Sequence, residues 1–194
     1  MIGAIRSGKA PNLFLLQYSL PFAPIDLVLL PRHFLVEPIV IKRNALSSTA
    51  RRAGWIGCNL DLRLLPRSAF VQYITGGTFE SKQLVMQAWA DGSAIAQISS
   101  PDRRGWLTVT LSLIDRLGKT EFSLGDLYAY EPLLAKLFPG NRNIRPKLRQ
   151  QLQELRDLGQ IAFLGKGTYS RLGAGRTPEY SRGRRNKWHD RKSS

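Results

Sequence analysis

Two rhythms of apolar residues meet near Pro101. Upstream, hydrophobic residues come in unbroken runs. "NLFLLQYSL" (residues 12–20) and "IDLVLLP" (25–31) lie between Pro11, Pro21, Pro24 and Pro31. Such runs suit strands buried on both faces of a mixed α/β sheet, so residues 1–45 are expected to be strands. Only about ten residues precede the first run, as if the strands beside it belonged to a missing N-terminal portion. Residues 46–100 look irregular, with "SSTARR" and "TGGTFESK" as loops. "KQLVMQAWA" predicts a short helix with Leu84, Val85, Ala88 and Trp89 on one side.

Downstream the spacing turns helical. Trp106, Val109, Leu113, Ile114 and Leu117 fall on one helix that Gly118 ends. Ser123 is a good N-cap for a second, interrupted by Pro132 and by Pro139–Gly140. "NIRPKLRQQLQELRDLGQ" predicts the clearest helix, capped by Asn143, with Pro146 in its first turn and Gly159 as its stop. Ile144, Leu148, Leu152, Leu155 and Leu158 form its apolar stripe. "IAFLGKGTYSRL" reads as a hairpin around Gly165, Lys166 and Gly167. Three helices followed by a hairpin is the order of a winged helix-turn-helix. Residues 173–194 lack periodicity and are rich in Gly, Ser and Arg, which predicts a disordered basic tail.

Charge narrows the function. The 194 residues carry a formal net charge of +15 at 43% hydrophobic content, so a packed core is available to a strongly basic chain. Nucleic acid is the first partner such a surplus favours, an anionic membrane the second, and mere solubility the plain alternative. No long uncharged apolar span argues for a membrane helix, and the N-terminus lacks the order of a signal peptide. Cys58 is the single cysteine. It allows no intrachain disulfide and no cysteine-rich zinc site, which suits a cytoplasmic protein.

On the third helix Arg149, Gln150 and Gln153 point away from the stripe, and Arg145 borders it. Arg142 and Asn143 stand at its start, with Lys147 in the first turns. Arg suits guanine, Asn and Gln suit adenine, and the free N–H groups of a helix start suit phosphate. An ordinary solvated helix face is the alternative. Lys166 at the hairpin tip, with Tyr169 nearby, is a candidate backbone or minor-groove contact. Catalytic chemistry is harder to place. His33 and His189 have no metal-ligand partner at a familiar spacing. Of the fourteen acids, only Asp26, Glu37 and Asp61 lie in the first seventy residues, and they do not assemble into a metal-dependent nuclease site.

"TARRAGWIGCNLDL" (49–62) resembles a segment of the DpnI-type restriction endonucleases, the Dam-replacing family. "PNLFLLQYSL", "LVLLPRHFLV", "RGWLTVTLSLIDRL", "EFSLGDLYAYEPLLAKLFPGN" and "IRPKLRQQLQELRDLGQIAFLGKGTYSRL" are similar to it in the same order. The resemblance covers nearly residues 1–172. It implies an α/β (α+β) remnant of a PD-(D/E)xK nuclease domain over 1–100 and a winged helix over 101–172, followed by the basic tail, 173–194. It implies cleavage of GATC sites with methylated adenine, and magnesium for the full-length family. The family's Glu-x-Lys strand and four-cysteine zinc site are absent from this sequence. A chain that keeps DNA and methyl readout without a catalytic centre is therefore expected, with none of its own residues holding magnesium.

By the same resemblance Trp55 senses the adenine methyl groups, with an ordinary core tryptophan as the alternative. Arg51 and Arg52 are expected to contact phosphate, or else to form a structural salt bridge. Cys58 is expected to be a small buried hydrophobe, and Asn59 and Asp61 to fix the local turn. The competing class is a non-enzymatic winged-helix regulator with an accessory sheet. The expected partner is double-stranded DNA with methylated GATC sites, with no membrane, and the chain is expected to be a monomer.

Overall fold

The computed structural model describes residues 1–172, so the expected basic tail at 173–194 lies outside the described residues. It is a mixed α/β structure. A short helix α1 (Ile2–Arg6) leads into β1 (Leu13–Ser19) and β2 (Ala23–Leu30). These pair antiparallel, Leu13 opposite Leu30 and Ser19 opposite Ala23. After a two-stranded ribbon, β3 (Val40–Ala45) and β4 (Ile56–Leu60), come β5 (Val71–Thr75) and β6 (Thr78–Phe79). The larger sheet has the order β1-β2-β5-β6, with every pairing antiparallel.

That sheet corrects the expectation of strands buried on both faces. Val28, Leu29 and Leu30 of β2 are buried, but β1 is an edge strand. Phe14 is 63% exposed, and Leu16 and Tyr18 are 54% exposed. An unbroken apolar run does not reveal whether a second layer stands against each face. The stretch 46–100 is also more regular than expected. "TGGTFESK" is mostly the β5–β6 hairpin, with Gly76 and Gly77 at positive φ in its turn. Helix α2 (Lys82–Ala96) is longer than "KQLVMQAWA", and its inward stripe keeps Val85 and Ala88 of the expected side, both half-buried, but not Leu84 and Trp89. Leu84 and Trp89 are exposed, whereas Gly92 and Ile95 are buried.

Helix α3 (Pro101–Leu117) starts at Ser100, whose hydroxyl accepts the Arg103 N–H, and ends at Gly118 with φ of 64°. Its residues 105–114 are all buried, which one apolar stripe would not require. One side meets the short 3-10 turns Arg32–Phe34, Glu37–Ile39 and Leu62–Leu64, and the other meets the helices that follow. Apolar residues from Ile5 to Ile161 accordingly form one continuous core through this helix.

Beyond α3 come β7 (Glu121–Ser123), α4 (Leu124–Tyr128), α5 (Glu131–Leu137) and α6 (Ile144–Asp157). The hairpin β8 (Ile161–Gly165) and β9 (Thr168–Arg171) closes the described fold. Ser123 and Asp126 form a reciprocal capping box on α4. The Asp126 carboxyl is held down at about 2, first by the Ser123 backbone N–H and then by Lys119 and the Ser123 hydroxyl. Pro132 opens α5, and Gly159 at φ of 68° follows α6. The wing has a third strand not expected from the sequence, in the order β7-β9-β8. No helix among the described residues is long and apolar enough to cross a membrane.

Candidate nucleic-acid interface

Two separate elements carry the candidate contacts, the α6–wing unit and the β3–β4 ribbon. Helix α6 buries Ile144, Leu148, Leu152 and Leu155, and this stripe fixes which side chains turn outward. Arg145, Arg149, Gln150 and Gln153 are exposed, as are Arg142 and Asn143 at the helix start. Asn143 occupies the N-cap position, but its side chain does not cap. Its own backbone N–H donates to Asn141 Oδ1 at 2.8 Å, and its side chain is exposed. Lys147 is half-buried, with Nζ 5.8 Å from the centre of the Trp106 ring and 3.1 Å from Gln150 Oε1, which accepts its hydrogen bond. Gln151 is fully buried with neither amide atom partnered among the described residues. Its place three residues after Leu148 and four before Leu155 is the sequence signal for that burial.

Two of these arginines are anchored. The Arg145 guanidinium lies over the Tyr128 ring at 4.9 Å and donates from Nε to Glu131 Oε2 at 2.8 Å. Glu131 raises the Arg145 pKa further, so this cation persists at any working pH. Arg149 Nε donates to the Tyr128 hydroxyl at 2.9 Å. Sequence reasoning missed Tyr128 and Glu131, because they reach α6 from two other helices and no local spacing joins them.

In the wing, Lys166 is exposed at the tip with φ of 48°, between Gly165 and Gly167. Tyr169 has a different role from the one its position suggests. Its ring stacks on Phe122 at 5.7 Å and meets Phe163 at 5.2 Å, so it packs the wing against the core. Arg171 also faces inward. It pairs with Asp115 at 3.1 Å, and both side chains are only 9% exposed.

Among the described residues the ribbon β3–β4 pairs with no other strand. Its base is tied down by the Asp61 N–H, which donates to Ile39 O at 2.8 Å, and by Val40 and Leu60 packing on the core. Its far end is the loop of residues 46–55. Leu46 and Trp55 close that loop through Leu46 N–H to Trp55 O at 2.9 Å, and Gly54 turns it at φ of 77°. Arg51 and Arg52 are exposed there, and among the described residues neither pairs with a carboxylate. Lys42 and Arg43 on β3 are also exposed.

Trp55 is 54% exposed, so it is not a core tryptophan. Its six-membered ring lies against Gly57. A Cβ at that position would come within 3.0 Å of Trp55 Cζ3 and 3.6 Å of the Arg43 Cδ. Cys58 is half-buried rather than buried, since its strand has one neighbour among the described residues. Asn59 lies within β4 and shapes no turn. Asp61 does fix a turn, accepting the Arg63 N–H at 3.1 Å and the Arg63 guanidinium at 2.8 Å, which lowers its pKa.

Among the described residues no three His, Cys, Asp or Glu side chains gather around one point. Asp26 accepts the Gly76 N–H at 3.0 Å, Glu37 takes both an Nε and an Nη of Arg6, and Asp61 holds Arg63. Each of these three acids has a structural partner.

Comparison with known families completes the picture. Residues 1–98 match the family model described as DpnI, Dam-replacing family. Residues 102–171 match the model described as the Dam-replacing HTH domain.

Proposed function

The chain belongs to the Dam-replacing DpnI family, and from that membership we propose that it binds double-stranded DNA and prefers GATC sites whose adenine is methylated. One observation carries the reading. A large indole stands 54% exposed at the end of a basic ribbon, with Gly57 beneath one part of its ring and the rest open to a partner. An exposed flat aromatic beside arginines suits a methyl group on a base edge, with phosphates on either side. Arg51 and Arg52 supply the phosphate contacts, Trp55 the methyl contact. The outward face of α6 supplies base and backbone contacts through Arg142, Asn143, Arg145, Lys147, Arg149, Gln150 and Gln153, with Lys166 following from the wing. Tyr169 supports the wing from inside.

We further propose that residues 1–100 correspond to part of a PD-(D/E)xK-type domain that reads DNA without cutting it. The engagement of Asp26, Glu37 and Asp61 with Gly76, Arg6 and Arg63 supports this. Among residues 1–100 no three His, Cys, Asp or Glu side chains gather at one point, which supports the same reading. A regulator that only binds through the winged helix is the second reading, and exposed Trp55 is the observation against it.

Binding to methylated and unmethylated GATC duplexes at one fixed salt concentration tests the first proposal. Each buried methyl contributes about 0.8 kcal/mol, so two methyl groups give about a tenfold preference. Trp55→Ala should remove most of that preference while total affinity falls less. Equal wild-type affinities for the two duplexes would leave only charge-driven binding. Incubation of methylated plasmid with magnesium tests the second, and robust chain-dependent cutting would refute it.

A further inference from the structure

Arg145 and Arg149 are one turn apart on α6 and share a single support. The ring of Tyr128 lies beneath one guanidinium and its hydroxyl holds the other. In both arginines the anchored atom is Nε, taken by Glu131 in the first and by Tyr128 in the second. Among the described residues no Nη atom of either has a hydrogen-bond partner, and both side chains are exposed. The free end of each fork is thus the Nη1–Nη2 pair.

Such anchoring has a specific use. A phosphate needs only a nearby positive charge, which a loose side chain such as Arg142 can deliver. A base edge asks for a planar fork at a set angle, and fixing the fork beforehand removes ordering cost from a bidentate contact. We propose that Tyr128 is a positioning residue that holds Arg145 and Arg149 with their Nη pairs outward for guanine O6 and N7 in the major groove. Tyr128 then sets sequence discrimination more than overall affinity. The proposal rests on the reading of α6 as a DNA-contacting helix.

The test uses the full chain, Tyr128→Phe, Arg149→Ala, the double variant of these two, and Arg145→Ala. Each is titrated against a methylated GATC duplex and against one whose G·C pairs are replaced by A·T, over a series of salt concentrations. Tyr128→Phe keeps the ring beneath Arg145 and removes only the hydroxyl from Arg149, so the fold is preserved and its melting temperature serves as a check. Discrimination between the duplexes should fall about fivefold with the salt dependence unchanged. Arg149→Ala should lose at least as much, and the double variant no more than Arg149→Ala alone. Full discrimination in Tyr128→Phe beside a loss in Arg149→Ala would overturn the role of Tyr128 and leave α6 as the reader. Uniform weakening on both duplexes with a shallower salt dependence would make these arginines phosphate contacts and also overturn it. If Arg149→Ala and Arg145→Ala both bind as the parent does, the reading of α6 itself fails and this proposal fails with it.

Discussion

Replacing Asp115 with alanine should loosen three elements at once. Its carboxylate sits at the end of α3 and accepts the Arg67 backbone N–H at 2.7 Å from one oxygen. The other oxygen accepts from Arg171 Nε at 3.1 Å. Arg67 begins the 3-10 turn Arg67–Ala69 before β5, and Arg171 ends β9 of the wing. The Asp115–Arg171 pair is 9% exposed on each side, so solvent does little to replace the missing partner. Removing one member of a buried pair costs about 3–5 kcal/mol, chiefly because it leaves the other charge uncompensated. Here Arg171 retains the carbonyls of Gln160 at 2.8 Å and Leu172 at 2.9 Å, which favours the lower end. A loss of about 3 kcal/mol is expected, or a melting temperature lower by roughly 6–12 °C. Asp115→Asn keeps an acceptor for one N–H and should lose about half as much. Adding Arg171→Met to Asp115→Ala removes the stranded cation and should recover part of the loss. Urea denaturation of the four proteins measures all of this. A cost below about 1 kcal/mol for Asp115→Ala, or no recovery in the double variant, would mean that the pair behaves as a surface contact.

Two further substitutions probe the packing beneath the ribbon and sheet. Gly92→Ala in α2 would ordinarily strengthen a helix by about 1 kcal/mol. Here the new methyl would come within 2.9 Å of the Phe34 ring and 3.1 Å of the Ser68 carbonyl, so a net loss of about 1–2 kcal/mol is expected. An unchanged or raised melting temperature would show that α2 can slide away. His33 has its pKa lowered to about 4, first by burial and then by Arg104 and Arg32. The fold therefore favours its neutral form. That contribution is complete above the ordinary value of 6.5 and is lost as the pH falls from there toward 4. The loss should be less than about 1.4 kcal/mol per pH unit, because the ring is partly exposed. His33→Phe should flatten the stability profile between those limits, and an equal slope in both proteins would assign the titration elsewhere.

The second half of the chain was the more legible. The spacing of Leu148, Leu152 and Leu155 placed α6, and with it the outward direction of Arg149, Gln150 and Gln153, with Arg145 at the border. Gly118 and Gly159 marked helix ends because left-handed backbone favours glycine. These signals are local, so a single chain carries them. What the sequence hid depends on distant partners. Nothing near "IGCNL" or "VQYIT" shows that they are strands, since each is short and defined by its neighbour in the sheet. The packing of Tyr169 against Phe122 and Phe163 depends on the third strand of the wing, which no local spacing announces. Tyr128 carries no motif, and its value lies in where α4 places it relative to α6. Trp55 raised two opposite expectations, and only the isolation of its ribbon decides that it is exposed.

Helix α3 has a consequence for protein engineering. Winged helices are often treated as cassettes that can be moved from one protein to another. Here the helix that opens the winged-helix segment also roofs Phe34, Leu35 and Ile39 on the other side of the junction. A graft cut at Pro101 would carry away a roof and expose two floors: the one left behind, and the outer side of α3 in its new host. Exchange of this segment between proteins therefore needs an amphipathic redesign of α3, with Leu107, Val109, Leu111 and Ile114 reconsidered one by one.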